Sequence, residues 1–232
     1  MGGGFLIFVS RNQPSSKGKC VNQLSVLSLV LALSSPVFAV EFSNLGEIDP
    51  QGNRFLQGTV ERIADGDTIA VRVAGTPKPV KIRMVGEDTA ELHLVVGGKP
   101  QSQGWWAEEG YQYLLKQIPL GSRVRVQVYG EDVYGRTLGR VFDSRGKDVN
   151  MEMVRSGWGS FYVICSGAGC TPQLFVDQAV DEYAEACEDA VRLQKGIFDA
   201  SDPLPEQPFE YRMRLQQRQP ERFVGDLTTK TL

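Results

Sequence analysis

Three short clusters in this 232-residue chain gather the residue types that phosphate chemistry uses. They are Asp65-Gly66-Asp67-Thr68, the run Arg83-Met84-Val85-Gly86-Glu87-Asp88-Thr89-Ala90-Glu91, and Asp132-Val133-Tyr134-Gly135-Arg136. Asp67, Asp88 and Glu91 offer hard oxygen atoms, the ligands that a Ca2+ ion takes. Arg83 and Arg136 could grip phosphate oxygens as bidentate forks and neutralise the charge that builds when a nucleophile adds to phosphorus. Glu91 could orient or deprotonate an attacking water. Each cluster alone has a plainer reading, since Asp-Gly is a common hairpin turn and exposed arginines commonly pair with surface acids. Jointly they outline a phosphodiesterase.

These clusters sit where strands end. Residues 58–63, 68–73 and 80–85 are short runs rich in Val, Ile and Thr, separated by turn residues, and they predict an antiparallel meander. Trp106, Gly110, Tyr113, Leu114 and Ile118 recur at helical spacing until Pro119 and Gly121. Residues 123–129 alternate Arg and Val with the period of a half-wet strand, and residues 137–142 supply its antiparallel partner. A short helix fits 149–156, ended by Gly157, and a longer one fits 173–195, ended by Gly196. The expectation is an α+β fold with a mainly β core: a five-stranded Greek-key barrel of OB type, whose closure removes exposed sheet edges, with about three helices.

Apolar residues make up 41% of the chain and charged residues 23%, as in ordinary globular proteins rather than disordered or coiled-coil ones. The net charge of −3 excludes a protein that binds polyanions by bulk positive charge, so any anion site must be local. Residues 1–39 carry Arg11, Lys17 and Lys19 but no acid, then an apolar run from Leu24 to Leu33 and the small residues of Val37-Phe38-Ala39. That pattern predicts a secretory signal cleaved after Ala39, with an uncleaved amino-terminal anchor as the alternative. Losing its three basic groups takes the net charge from −3 to −6. The expected product is secreted or periplasmic, free of the membrane and monomeric, with no stable protein partner. Residues 40–56 read as a lead-in strand or loop, 57–198 as the catalytic domain, and 199–232 as a Pro- and Arg-containing tail. Arg212, Arg214, Arg218 and Arg222 make that tail locally basic; it could hold a polyanion, but a solvated, partly mobile terminus is the expected reading. Cys187 falls on the apolar stripe of the long helix and reads as a buried thiol, whereas Cys165 and Cys170 flank a flexible segment that would let them pair; a Cys170–Cys187 bridge is the alternative pairing. The one histidine, His93, reads as a solvent-facing loop residue.

From residue 58 to residue 198 the chain resembles the staphylococcal-nuclease-type domains. Asp65-Gly66-Asp67-Thr68 stands as the family's Asp-Gly-Asp-Thr, Arg83 with Asp88, Thr89 and Glu91 fits its Arg-x4-Asp-[Thr/Ala]-Pro-Glu, and Asp132-x-Tyr134-Gly135-Arg136 fits its Asp-x-Tyr-Gly-Arg. Val149-Asn150 with Val154-Arg155-x-Gly157, and Lys195-Gly196-Ile197-Phe198, resemble the helices that follow. The resemblance implies a Ca2+-dependent, sugar-nonspecific nuclease acting on DNA and RNA and leaving 3′-phosphate ends. It implies Asp67 and Asp88 as direct Ca2+ ligands with the Thr89 carbonyl, Glu91 holding the attacking water, Arg83 and Arg136 on the scissile phosphate, and Tyr134 packing or hydrogen-bonding near it. Three departures stand out. Ala90 replaces the family's proline and loosens the bend that presents Glu91. Glu87 replaces an apolar residue; it could add repulsion to the metal cluster or, by strand alternation, face away into solvent, which is the expectation. The segment from Cys165 to Cys170 lies where nucleotide-stacking tyrosines belong, and Phe161 and Tyr162 could take their place. The alternative class is a catalytically weak or inactive barrel module that binds single strands or a protein.

Overall fold

The computed structural model describes residues 8–12, 46–166 and 177–217. Its centre is a barrel built from strands β3 (Arg54–Ile63), β4 (Thr68–Val73), β5 (Val80–Met84), β9 (Arg123–Glu131) and β10 (Thr137–Phe142). β3, β4 and β5 form the antiparallel meander, β10 lies parallel to β5, β9 lies antiparallel to β10, and β3 pairs with β9 to close the ring. This is the expected five-stranded barrel of OB type. The alternation in β9 is what lets it close: Arg123 and Arg125 face out while Val124 and Val126 are buried. Inside the barrel Val60, Ile69, Val71, Ile82, Met84 and Val141 pack with Leu114 of α1 (Trp105–Gln117), with Ile118 just after it, and with Met153 of α2 (Val149–Arg155). Gly139 is required on β10, because a Cβ there would lie 2.5 Å from Val126 Cγ1.

Buried Asn150, at the start of α2, ties the barrel together. Its Oδ1 accepts from the Val141 N–H at 2.9 Å, and its Nδ2 donates to the carbonyls of Val85 at 2.8 Å and Gly139 at 3.1 Å. Asp148 caps the same helix by accepting from the Met151 N–H at 3.1 Å. A second core joins Val85, Met151, Val154 and Phe161 to Tyr183 and Cys187 of α3 (Asp177–Arg192). Cys187 is a free buried thiol, pushed up to about 11 by burial. Any pairing of Cys165 with Cys170 lies outside the described side chains.

Four features depart from the expected map. The first barrel strand begins at Arg54, inside the expected lead-in, with β2 (Glu47–Ile48) paired along its edge. β6 (Gly86–Thr89) is an additional strand, paired with β11 (Gly159–Ser166). The link between β6 and α1 contains a small hairpin of β7 (Leu94–Val96) and β8 (Lys99–Gln101). A fourth helix, α4 (Pro208–Leu215), follows α3, so the tail up to residue 217 is not the expected solvated terminus. Its Phe209 is buried against Tyr162, ring centroids 5.5 Å apart. Within the expected signal segment, β1 (Phe8–Asn12) runs parallel to β11, and the rest of that segment lies outside the described residues.

Candidate active site

The turn joining β3 to β4 delivers the first carboxylate. Asp65 accepts from the Asp67 N–H at 3.2 Å, which bends the chain, and Gly66 packs so closely on Thr89 that a Cβ would lie 2.7 Å from its Oγ1. Asp67 is thereby turned inward, with its Oδ1 accepting from the Thr68 hydroxyl at 2.8 Å and its carbonyl from the Met84 N–H at 2.8 Å. Arg83, at the end of β5, is 4% exposed. Its Nη2 lies 3.0 Å from Asp67 Oδ2 and 2.9 Å from Asp88 Oδ1, and its Nη1 donates to the carbonyls of Met84 at 2.6 Å and Glu87 at 3.2 Å.

Glu91 follows β6 and is clamped by Gln103, whose Oε1 accepts from the Glu91 N–H at 3.0 Å and whose N–H donates to the Glu91 carbonyl at 2.8 Å. On the far rim, the turn at Asp132 presents Arg136: Nε to Asp132 Oδ2 at 2.7 Å and Nη1 to Thr68 Oγ1 at 3.4 Å. The Tyr134 ring is largely exposed, with the Arg136 guanidinium 5.6 Å from its centroid. His93 is exposed, as expected.

The sequence gives no direct pointer to the last member of the site. Arg212 of α4 reaches into the same carboxylates, its Nη1 lying 2.8 Å from Asp88 Oδ1 and 2.5 Å from Glu91 Oε1, and its Nη2 2.9 Å from Asp88 Oδ2. Asp67, Arg83, Asp88 and Glu91 thus come together as expected, with Arg136 at their edge. Thr89 is buried beside them, and its Oγ1 has no partner among the described residues. Gln103 and Arg212 were missed. Gln103 carries no motif, and Arg212 is one of several arginines in a stretch that reads as a solvated charge run.

Two expectations about neighbouring residues fail. Glu87 is fully buried rather than solvent-facing, because β6 is covered by β11 on one side and by α2. Its carboxylate oxygens have no hydrogen-bond partner among the described residues. Phe161 and Tyr162 are buried and unavailable for stacking, Phe161 in the core and Tyr162 beneath Phe209 and Arg212.

Charge is unevenly shared across the cluster. Burial, then the neighbouring Asp67, pushes Asp65 well above the usual carboxylate range. Burial also acts to raise Asp67, but Arg83, Arg212 and the Thr68 hydroxyl outweigh it and hold that carboxyl low. Glu91 is raised by burial against the pull of Arg212. Glu87 is raised well above its usual range, by burial first and then by the charge of Asp67. Arg83 stays firmly protonated: burial opposes its charge, and Asp67 and Asp88 more than restore it.

A family model described as "Staphylococcal nuclease homologue" matches residues 81–198. That stretch holds Arg83, Asp88, Thr89, Glu91 and Arg136, and it leaves out Asp67 before it and Arg212 after it. Among curated proteins, the chain is 35% identical over 189 residues to "Endonuclease YhcR" of Bacillus subtilis, covering 78% of this chain but only 14% of that longer protein. It is 31% identical over 160 residues to an "Uncharacterized endonuclease" of Escherichia coli O157:H7, covering 68% of this chain and 86% of the relative. It is also 31% identical over 163 residues to "Probable endonuclease LCL3" of Yarrowia lipolytica, covering 62% and 72%.

Proposed function

The chain belongs to the staphylococcal nuclease homologues, and from that membership we propose that it is an exported, Ca2+-dependent endonuclease that hydrolyses phosphodiester bonds in DNA and RNA without regard to the sugar. A nuclease function is supported by the family and by relatives named as endonucleases. The observation that carries the reading is the convergence of Asp67, Asp88 and Glu91 on arginine nitrogens at one end of the barrel, with Arg136 on the rim.

The donors suit a hard cation. Asp67 and Asp88 meet at a single Arg83 nitrogen, and Asp88 and Glu91 meet at a single Arg212 nitrogen, so the carboxylates already bracket positive charge. All are hard oxygen ligands of the kind Ca2+ takes. Among the described residues no group of three acidic, His or Cys side chains stands ready around one point, and Arg212 lies between Asp88 and Glu91. Asp67, Asp88 and the Thr89 carbonyl would hold the ion, which when bound would add positive charge beside the phosphate.

The chain's own groups do the rest. Arg136 offers its guanidinium to the non-bridging oxygens, with Nη2 free of any protein acceptor among the described residues. Arg83, expected on the phosphate, instead gives its bonds to protein oxygens and positions Asp67 and Asp88. Glu91 takes a hydrogen bond from the water that attacks phosphorus; as the P–O5′ bond breaks, the proton given up by the water is balanced by one taken from solvent by the 5′ oxygen, which leaves as a hydroxyl, and the phosphate stays on the 3′ end.

The test is digestion of single- and double-stranded DNA and of RNA by the purified protein, with Ca2+ or with a chelator, beside Glu91→Ala. Chelator-sensitive cleavage of all three substrates, greatly weakened by the substitution, is expected. Intact substrates with a folded protein under every condition would leave a binding module instead. Export is read separately by the amino terminus of the mature protein, expected at Val40.

A further inference from the structure

The geometry points to α4 as an intramolecular latch: Arg212 is a tethered cation that holds the place between Asp88 and Glu91, and a divalent metal must displace it to load the site. This rests on the reading that the acidic cluster binds such a metal.

The contact is specific. Arg212 takes both oxygens of Asp88 and one oxygen of Glu91, and its side chain is only 18% exposed. Those are oxygens a hard cation would need, and a second positive charge beside a buried guanidinium is repelled. Arginine and metal therefore compete for the same carboxylates, and by linkage each weakens the other. Residues 199–217 lie beyond the stretch matched by the family model, so the latch is an addition to the matched domain.

The rest of the tail is built to keep the latch close. Leu204 N–H donates to the Ile197 carbonyl at 2.9 Å, and Gln103 Nε2 donates to the Glu206 carbonyl at 2.8 Å, so the leash is fixed just ahead of α4. Such a tether keeps the local concentration of Arg212 high even when it is displaced. The helix itself depends on its docking. It is eight residues long, too short to persist without its docking contacts, which include Phe209 on Tyr162, the Tyr211 hydroxyl donating to the Ser102 carbonyl at 3.1 Å, and Arg212. When Arg212 is expelled, α4 should therefore fray, and buried Tyr162 beneath it becomes accessible beside the phosphate site.

The experiment uses Ca2+ alone as the probe and does not need turnover. Calorimetric titration of the full chain, of Arg212→Ala and of Phe209→Ala is expected to show Ca2+ binding about 10-fold tighter to Arg212→Ala than to the parent, with Phe209→Ala between them. Hydrogen exchange of the α4 amides in the parent is expected to accelerate at saturating Ca2+. Unchanged or weaker Ca2+ affinity in Arg212→Ala overturns the latch, as does undisturbed α4 exchange or no Ca2+ binding in any of the three. Should Arg212→Ala fail to fold, Phe209→Ala decides by the same criterion, since its uncharged ring packs on Tyr162. Tighter Ca2+ binding by Arg212→Ala without cleavage by any form would leave the latch standing and remove the nuclease reading. Ca2+-dependent cleavage by the parent with equal affinities would do the reverse.

Discussion

Gln103 grips Glu91 from both sides of its backbone, accepting from its N–H at 3.0 Å and donating to its carbonyl at 2.8 Å. The bend that presents Glu91 holds Ala90 in place of the proline in the motif that the chain resembles, and sequence alone suggests a loose presentation. The clasp supplies rigidity by hydrogen bonds instead of by a locked φ, and Ala90 is buried against Ala107 and Ile197 beneath it.

Gln103 is therefore a positioning residue, and Gln103→Ala should lower kcat by on the order of 10-fold with KM little changed, because misplacing the water-holding carboxylate affects the reacting geometry more than binding. Gln103→Glu keeps the acceptor for the Glu91 N–H and should recover part of the loss. A KM effect of equal size, or no recovery by Glu, would assign Gln103 a general structural role.

Arg136 differs from Arg83 in what it has left to give. Arg83 is enclosed by four protein oxygens, whereas Arg136 bonds Asp132 and, weakly, Thr68. Arg136→Ala should lower kcat by on the order of 10²-fold with little change in melting temperature. Lysine at the position should restore little, because a point charge cannot reproduce the guanidinium fork. Near-normal turnover in either variant would take Arg136 out of the mechanism.

Asn150 carries a stability prediction. Removing its side chain strands the Val141 N–H and the Val85 carbonyl, and takes one of two donors from the Gly139 carbonyl, which keeps the Val85 N–H at 3.1 Å. Asn150→Ala should destabilise the fold by about 2–4 kcal/mol, read from denaturant unfolding. A loss within about 0.5 kcal/mol would mean that these groups find other partners.

The barrel was legible wherever apolar and polar residues alternate, as in β9, and wherever a turn signal sits between such runs. β6 was not, because its Gly-Glu-Asp-Thr is entirely buried and has no alternation to read. Burial there comes from β11, which is contributed more than 70 residues later. The same holds for the site. Asp67, Arg83, Asp88, Glu91 and Arg136 announce themselves by spacing, since a few turns bring them to one barrel end. Arg212 lies 121 residues from the Glu91 it bonds, and no local pattern distinguishes it from Arg214, which pairs with Glu206 at the surface.

Glu87 sets a pH dependence whose sign follows from its burial. The ordinary value of such a carboxyl is 4.5, and in the folded protein it is raised well above that, first by loss of solvent and then by Asp67. Below about pH 4.5 the folded and unfolded chains both hold this proton, so its contribution to stability is fully present. Above that pH the unfolded chain gives up the proton while the folded chain keeps it, and stability falls until the pH passes the folded value. Glu87→Gln removes the titration while keeping the shape. Its stability relative to the parent should therefore grow from pH 4 toward pH 8, by about 1.4 kcal/mol per pH unit inside the window. Unfolding free energies of both proteins across that range measure the difference directly, with the other carboxylates cancelling to first order. A difference that stays flat with pH would mean that Glu87 ionises in the folded state as readily as in the unfolded one.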